Sequence, residues 1–255
     1  MMILIIGCIV YQIRIIARQN KIAKIREDFS YALIHDMKTP ISSILMGIQI
    51  LETGKLDTRP EKRAKLFHIL KDESEHLLAL TEKVLTLSKL ENHQLNLFRE
   101  MLSLRSMLDD LIEKFSAKAD KPVHFSLALE AETVVADGEF LKEAISNLID
   151  NAIKYSKESV KINISSSSDA NHDIINIYDN GIGIPQKDQK KIFEKFERAS
   201  AIKQTRKGGP SGFGLGLNYV YQVMEAHEGR VYINSIEGEF SEFSLLIPKI
   251  IESYD

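Results

Sequence analysis

Cysteine is almost absent from this chain of 255 residues: Cys8 is the only one, and it sits in an apolar stretch. A lone thiol excludes an internal disulfide framework and any paired-cysteine zinc site, and the bulk of the chain reads as intracellular. An excess of charge of one sign is missing too. Lys plus Arg number 33 against 36 for Asp plus Glu, a net charge of −3, so no global basic field exists to hold a polyanion and nucleic acid is not expected as a partner. The hydrophobic content of 44% is too high for wholesale disorder, and at about 100–200 residues per domain the length fits one large domain or two ordinary ones. There is no repeat of solenoid length, and no Gly-Lys-Ser or Gly-Lys-Thr follows the glycines, which removes the P-loop.

Long hydrophobic runs are scarce. The notable one opens the chain, where Met1 to Ile16 is apolar except for Gln12 and Arg14 and is followed by Arg18, Lys21, Lys24 and Arg26. Such a basic flank marks the cytoplasmic side of a membrane helix. A run of this length reaches only about 24 Å at 1.5 Å per residue, short of a hydrocarbon core of about 30 Å. Residues 1–16 are therefore expected to be the cytoplasmic end of a membrane segment truncated on its outer side, with the rest of the chain in the cytoplasm at the inner membrane. A buried core helix is the alternative. A secretory signal would need a basic start and a small-residue cleavage site, and neither is present.

From about Ile22 to Asn92 the apolar spacing is helical. Ile34, Met37, Ile41, Ile44, Ile48 and Leu51 step by threes and fours, as do Leu66, Leu70, Glu73, Leu77, Leu80, Val84 and Leu87. Between the two stripes Gly54 stops one helix and Pro60 starts the next. A lone hairpin cannot enclose both stripes, whereas two copies form a four-helix bundle with a shared core, so a homodimer is expected.

Beyond Asn92 short strands alternate with helices. Strands are expected at Val123–Leu129, Ser159–Ser165, Ile174–Tyr178, Arg230–Asn234 and Glu242–Ile247, and helices at Leu104–Lys118, Gly138–Tyr155 and Leu215–His227. Asp137 is placed to cap the second helix, and Ser165 to Ser168 reads as a polar hairpin loop. The pattern is an α+β sandwich with one sheet face under helices.

Several clusters carry chemistry. On the first helix His35, Lys38, Ser42 and Gln49 fall opposite the apolar stripe, so His35 is expected to face solvent. Asp36 beside it can take a proton from one ring nitrogen and leave the other to attack an electrophile. Pro40 removes a helix hydrogen bond just past this point and bends the chain. Leu45 and Met46 lie off the stripe, with Leu45 on the His35 side, in position to form part of a groove for a partner's helix. In the second block Asn147, Asn151 and Lys154 share one helix face, followed by Tyr155. Amide oxygens suit Mg²⁺ beside phosphates, and a lysine one turn on adds positive charge. Asp179 with Gly181 and Gly183 follows a strand, where a buried carboxylate can accept from an exocyclic amine and glycines permit close approach. Finally Gly212, Gly214, Leu215 and Gly216 lead from a glycine run into a helix whose free N–H groups suit a phosphate.

In their order and spacing these segments resemble a sensor histidine kinase of two-component signalling, over about nine-tenths of the chain. His35 with Asp36, Lys38, Thr39 and Pro40 is similar to the H box, and Asn147 to Tyr155 to the N box. Asp179 to Ile184 resembles the G1 box, Ile192 to Phe196 the F box, and Gly212 to Leu217 the G2 box. The position before the histidine, often small and polar in the family, is Ile34, and the variable G2 position is Phe213.

The resemblance implies a dimerisation and phosphotransfer domain at 29–93, joined by a helical linker at 17–28 to the membrane segment and followed by a Bergerat, or GHKL, ATP-binding domain at 97–250. It further implies that ATP and Mg²⁺ bind between the N box and the glycine lid. Asp179 would read adenine with Gly181, Gly183 and Phe193 around it, Asn151 and Asn147 would hold Mg²⁺, Lys154 would meet the phosphates and Tyr155 would pack on the nucleoside. His35 would accept the γ-phosphoryl group with Asp36 as base, pass it to an aspartate of a response regulator, and Thr39 would position water for the reverse dephosphorylation. A GHKL ATPase that uses ATP as a clamp, or a non-catalytic membrane scaffold, are the alternatives.

Overall fold

The computed structural model describes residues 2–56, 58–91, 96–194 and 215–249. The chain divides into two compact units, residues 1–86 and 87–255.

The first unit is helical. Helix α1 (Met2–Glu52) is continuous from the apolar start through the His35 region, and the chain re-enters helix at α2 (Pro60–Glu91). The expected punctuation is present: Gly54 takes a positive φ of 66°, its N–H donates to the Leu51 carbonyl, and Thr53 Oγ1 donates to the Ile50 carbonyl at 2.7 Å. Pro40 lies inside α1 and is buried, and the helix carries on past it to Glu52. Gly47 is buried where α1 crosses Leu66 and Leu70 of α2. The expected membrane span is not found: no helix among the described residues is long and apolar enough to cross a membrane. Arg14 interrupts the apolar run and Arg18 ends it before the length that spanning requires.

The second unit is a sheet under helices. In chain order it comprises β1 (Arg99–Ser103), α3 (Leu104–Lys118), β2 (Val123–Leu129), β3 (Thr133–Asp137), α4 (Gly138–Lys154), β4 (Val160–Ser168), β5 (His172–Asp179), α5 (Gln186–Gln189), α6 (Gly216–Ala226), β6 (Arg230–Ile236) and β7 (Phe240–Pro248). Five strands form one sheet in the order β2-β4-β5-β7-β6, and β1 pairs with β3 in a separate ribbon. Only β2 and β4 are parallel; the remaining pairs are antiparallel. Alternation decides which face is covered. Val160, Ile162 and Ile164 of β4, Ile175 and Ile177 of β5, and Phe243, Leu245 and Ile247 of β7 are buried together with the apolar stripes of α3, α4 and α6.

Two expectations need correction. Ser165 to Ser168 is strand, not loop: these residues pair with Asn176 to Asp173 of β5, and the hairpin turns at 169–171, where Asp169 Oδ1 accepts the N–H groups of Asn171 and His172 at 2.7 Å. Hydroxyls fit there because cross-strand and loop partners satisfy them, Ser168 by Asp173 Oδ1 and buried Ser166 by the Ala131 carbonyl. Strands β1 and β3 and the short α5 fall outside the expected pattern.

Candidate functional site

The site grows from the end of β5. Its inward-facing residues run Ile175, Ile177, Asp179, so the period that buries two isoleucines buries a carboxylate next, leaving Asp179 only 7% exposed. Burial pushes its pKa up to about 6, opposed by the Gly181 N–H that donates to Oδ1 at 2.8 Å. A carboxylate in such surroundings gains from any further donor, and an exocyclic amine is one.

The loop after Asp179 is shaped by backbone contacts. The Ile182 N–H donates to the Tyr155 carbonyl at 3.0 Å and the Gly238 N–H to the Ile182 carbonyl at 2.7 Å. Gly183 sits at φ 63°, and a Cβ there would run into the Ile236 carbonyl, while one on Gly181 would lie 2.9 Å from the Tyr155 carbonyl oxygen. Both positions therefore exclude a side chain. Ser235 and Gln189 complete the loop, with the Ile184 N–H donating to Ser235 Oγ at 2.8 Å and Gln189 Nε2 donating to the Ile184 and Ser235 carbonyls.

Helix α4 supplies the amides. Asp137 caps it, its Oδ1 accepting the N–H groups of Glu139 and Phe140. Asn147 is buried, and its Nδ2 donates to the carbonyl and side chain of Glu143 at 2.7 and 3.2 Å. That orientation turns Oδ1 toward the start of α6: a Cβ on Gly216 would lie 3.2 Å from Asn147 Oδ1 and 3.8 Å from Asn151 Nδ2. Both predicted metal-ligating amides thus meet the helix N-terminus at Gly216, and among the described residues no side chain caps α6 at Leu215. The Asn147 oxygen beside a helix N-terminus suits a magnesium ion and phosphate; Asn151 presents Nδ2 there and would offer its oxygen to a metal only with the amide turned over. Lys154 is engaged elsewhere, its Nζ 2.6 Å from Asp150 Oδ2.

Tyr155 closes α4, its N–H donating to the Asn151 carbonyl. Phe193 packs edge-on to Phe243 and tilted against Tyr221, each 6.3 Å between centroids, which makes it a wedge between α6 and the sheet. One residue escapes the sequence reading. Asn218 is buried, donates from Nδ2 to the Phe193 carbonyl at 3.0 Å, and keeps an Oδ1 with no partner among the described residues. Its place two residues after Gly216 is the only signal. The side chains of His35 and Asp36, and Gly212 and Gly214, lie outside the described residues; Thr39 is exposed on α1.

A sheet of this order covered by helices, with a buried Asp at a glycine loop and paired amides facing a helix start, defines the ATP-binding class of histidine kinases, gyrases and chaperones. Residues 136–251 match the family described as histidine kinase-, DNA gyrase B-, and HSP90-like ATPase, and residues 25–93 match the His Kinase A (phospho-acceptor) domain. The chain belongs to the sensor histidine kinases. Among its relatives, sensor protein RprX of Bacteroides fragilis is 29% identical over 94% of this chain and 46% of its own length. The chain thus spans about half the length of the curated relatives it matches. Among solved structures, Acinetobacter baumannii histidine kinase AdeS is 27% identical with a TM-score of 0.63, covering 84% of this chain and 97% of that one. ShkA, solved in complex with AMPPNP, is 25% identical with a TM-score of 0.63, covering 87% of this chain and 45% of that one.

Proposed function

We propose that this chain is an ATP-dependent protein-histidine kinase that phosphorylates its own His35 and passes the phosphoryl group to an aspartate of a response regulator. The observation that carries the reading is the meeting of Asn147, Asn151 and Gly216, together with a glycine loop that begins at buried Asp179. Asp179 would accept from the adenine amine, and Gly181 and Gly183 would let the base approach. Leu215 and Gly216 offer their N–H groups to phosphate. Mg²⁺, held by Asn151 and Asn147, would neutralise phosphate charge when bound. For Lys154 to meet phosphate it must leave Asp150, an exchange that costs little because exposed ion pairs contribute about 0–1 kcal/mol.

Phosphoryl transfer needs alignment more than covalent help. As a ring nitrogen of His35 bonds to the γ-phosphorus, the bond to the ADP oxygen breaks, and Asp36 takes the proton from the other ring nitrogen. Thr39, one turn on from His35, would position water for the reverse dephosphorylation of the regulator.

Assembly as a homodimer follows from what the hairpin leaves uncovered. Ile34, Ile41 and Ile48 on α1 and Leu78 and Leu85 on α2 repeat every seven residues and are between 42% and 62% exposed. A second copy would bury these rows in a four-helix bundle. The apolar residues 1–16 and the basic flank behind them support attachment to the cytoplasmic membrane.

The decisive experiment is incubation with [γ-³²P]ATP. Label that survives alkali, is lost in acid and disappears in His35→Gln is expected. Equal labelling of His35→Gln would place the acceptor elsewhere, for example on His68 or His76, and no labelling with retained ATP binding would favour a clamp or scaffold.

A further inference from the structure

Away from the nucleotide loop, the far end of α6 is fastened by a buried histidine. His227 is 1% exposed and Asp137 is 6% exposed. The Asp137 backbone N–H donates to His227 Nε2 at 3.0 Å, and His227 Nδ1 faces the Val223 carbonyl at 2.8 Å. These partners dictate the tautomer: a carbonyl requires the proton on Nδ1, and an incoming N–H requires a lone pair on Nε2. The imidazole is thus neutral, and burial lowers its pKa further. The charged groups around it are Arg99 from β1 and Asp137 from β3, while Glu228, just past α6, is paired with Arg99 at 2.9 Å.

Asp137 connects this end to the N box. Its Oδ1 caps α4, and its Oδ2 accepts the Phe98 N–H at 2.9 Å. Arg99 adds a second clamp, with Nη2 donating to the Ala226 carbonyl at 3.3 Å. The turn that ends α6 is itself strained, since Glu228 holds a φ of 60° without being glycine.

We propose that His227 is a positioning residue for the nucleotide site. By tying the C-terminal end of α6 to the N-cap of α4, it fixes where the other end, Leu215 and Gly216, meets Asn147 and Asn151. The lever is short and stiff. A helix of 11 residues is about 16 Å long, so a tilt of about 5° at its base moves its tip by roughly 1.4 Å. Displacement of about 1 Å is enough to cost up to about a hundredfold where alignment governs binding or reaction. The proposal rests on the nucleotide reading above.

The test compares two replacements in the full chain by calorimetric titration of ATP·Mg²⁺. His227→Gln can place an oxygen near the former Nε2 and keep the Asp137 N–H satisfied; His227→Asn can serve only the Val223 side. Both should lower the melting temperature, but ATP affinity is expected to stay within about threefold of wild type in His227→Gln and to fall at least about tenfold in His227→Asn. Equal affinities in the two variants would overturn the positioning role while leaving the nucleotide reading intact. Absence of ATP binding in the wild type would remove both. Should the histidine variants fail to fold, Arg99→Met decides: releasing the Ala226 carbonyl is expected to weaken ATP about fivefold or more, and affinity within about threefold of wild type would overturn the proposal.

Discussion

The carbonyl oxygen of Tyr155 accepts the Ile182 N–H at 3.0 Å, which fastens the end of the N-box helix to the glycine loop. Asn151, one turn before Tyr155, and Asp179, three residues before Ile182, therefore belong to one rigid piece. A nucleotide that engages both meets a preformed angle between base and phosphate subsites, so binding loses little to reorganisation.

Asp179 gives the clearest pH signature. Its folded pKa of about 6 lies above the ordinary value of 3.8, so between those values the folded chain binds protons that the unfolded chain has released. Its own contribution to stability is thus fully present below the ordinary value and is lost as pH rises through about 6; a shift of about two units corresponds to roughly 3 kcal/mol at most. Asp179→Asn should remove this contribution and so lower the melting temperature at pH 4 relative to that at pH 7.5. The same variant should bind ATP and GTP more nearly alike, because an amide can present a donor to a donor. Calorimetry with both nucleotides checks this, and unchanged discrimination would end the adenine role.

Much of this site is legible in the amino-acid sequence alone. The Asp-x-Gly-x-Gly spacing and the Asn pair four apart are local, and local patterns survive folding. The Asp137 cap is readable for the same reason: a carboxylate next to a helical stripe has a single useful donor set nearby. Long-range neighbours escape such a reading. Strand β1, Arg-Glu-Met-Leu-Ser, lacks alternation and is held by pairing to β3, some 30 residues on, and by Arg99 reaching across to Glu228. Ser165 to Ser168 resembles a loop because four serines carry low strand propensity, yet pairing to β5 and the Ala131 carbonyl hold them in the sheet. Asn218 gives little sign beyond its place after Gly216, because its partner, the Phe193 carbonyl, is 25 residues away.

Gly183→Ala should be costly. The left-handed backbone penalty of about 1–2 kcal/mol adds to collision with the Ile236 carbonyl, so urea unfolding should register a loss of at least about 2 kcal/mol. Gly238→Ala is the control: φ is 87° there with nothing within 4 Å of a new Cβ, and only the backbone penalty should appear.

Asn151→Ala should separate metal from base. Affinity for ATP in excess Mg²⁺ is expected to fall by about tenfold or more, while affinity measured in EDTA changes by less than about threefold, since an octahedral ion must replace the lost amide with water. Calorimetric titrations under the two conditions check the split. Equal losses in both would move Asn151 from the metal to the nucleotide itself.

Leu45 and Met46 are 55% and 63% exposed on α1, about ten residues and roughly 15 Å along the axis from His35. Leu45→Glu should slow transfer to a cognate regulator at least about tenfold, because a charge would be desolvated at the interface. Autophosphorylation should be nearly unchanged. The measurement is transfer from prelabelled kinase to a response regulator that the wild type phosphorylates, and equal rates would remove the docking role.

Helix α1 runs without interruption from Met2 to Glu52, a rod of roughly 77 Å at 1.5 Å per residue. Such a rod carries phase as well as force. Each residue inserted at 17–28 would rotate everything upstream by about 100° relative to His35, whereas seven would return it to within about 20°. Output should therefore oscillate with insertion length rather than decay with it, and the single missing hydrogen bond at Pro40 lies beyond His35, where it leaves that phase untouched.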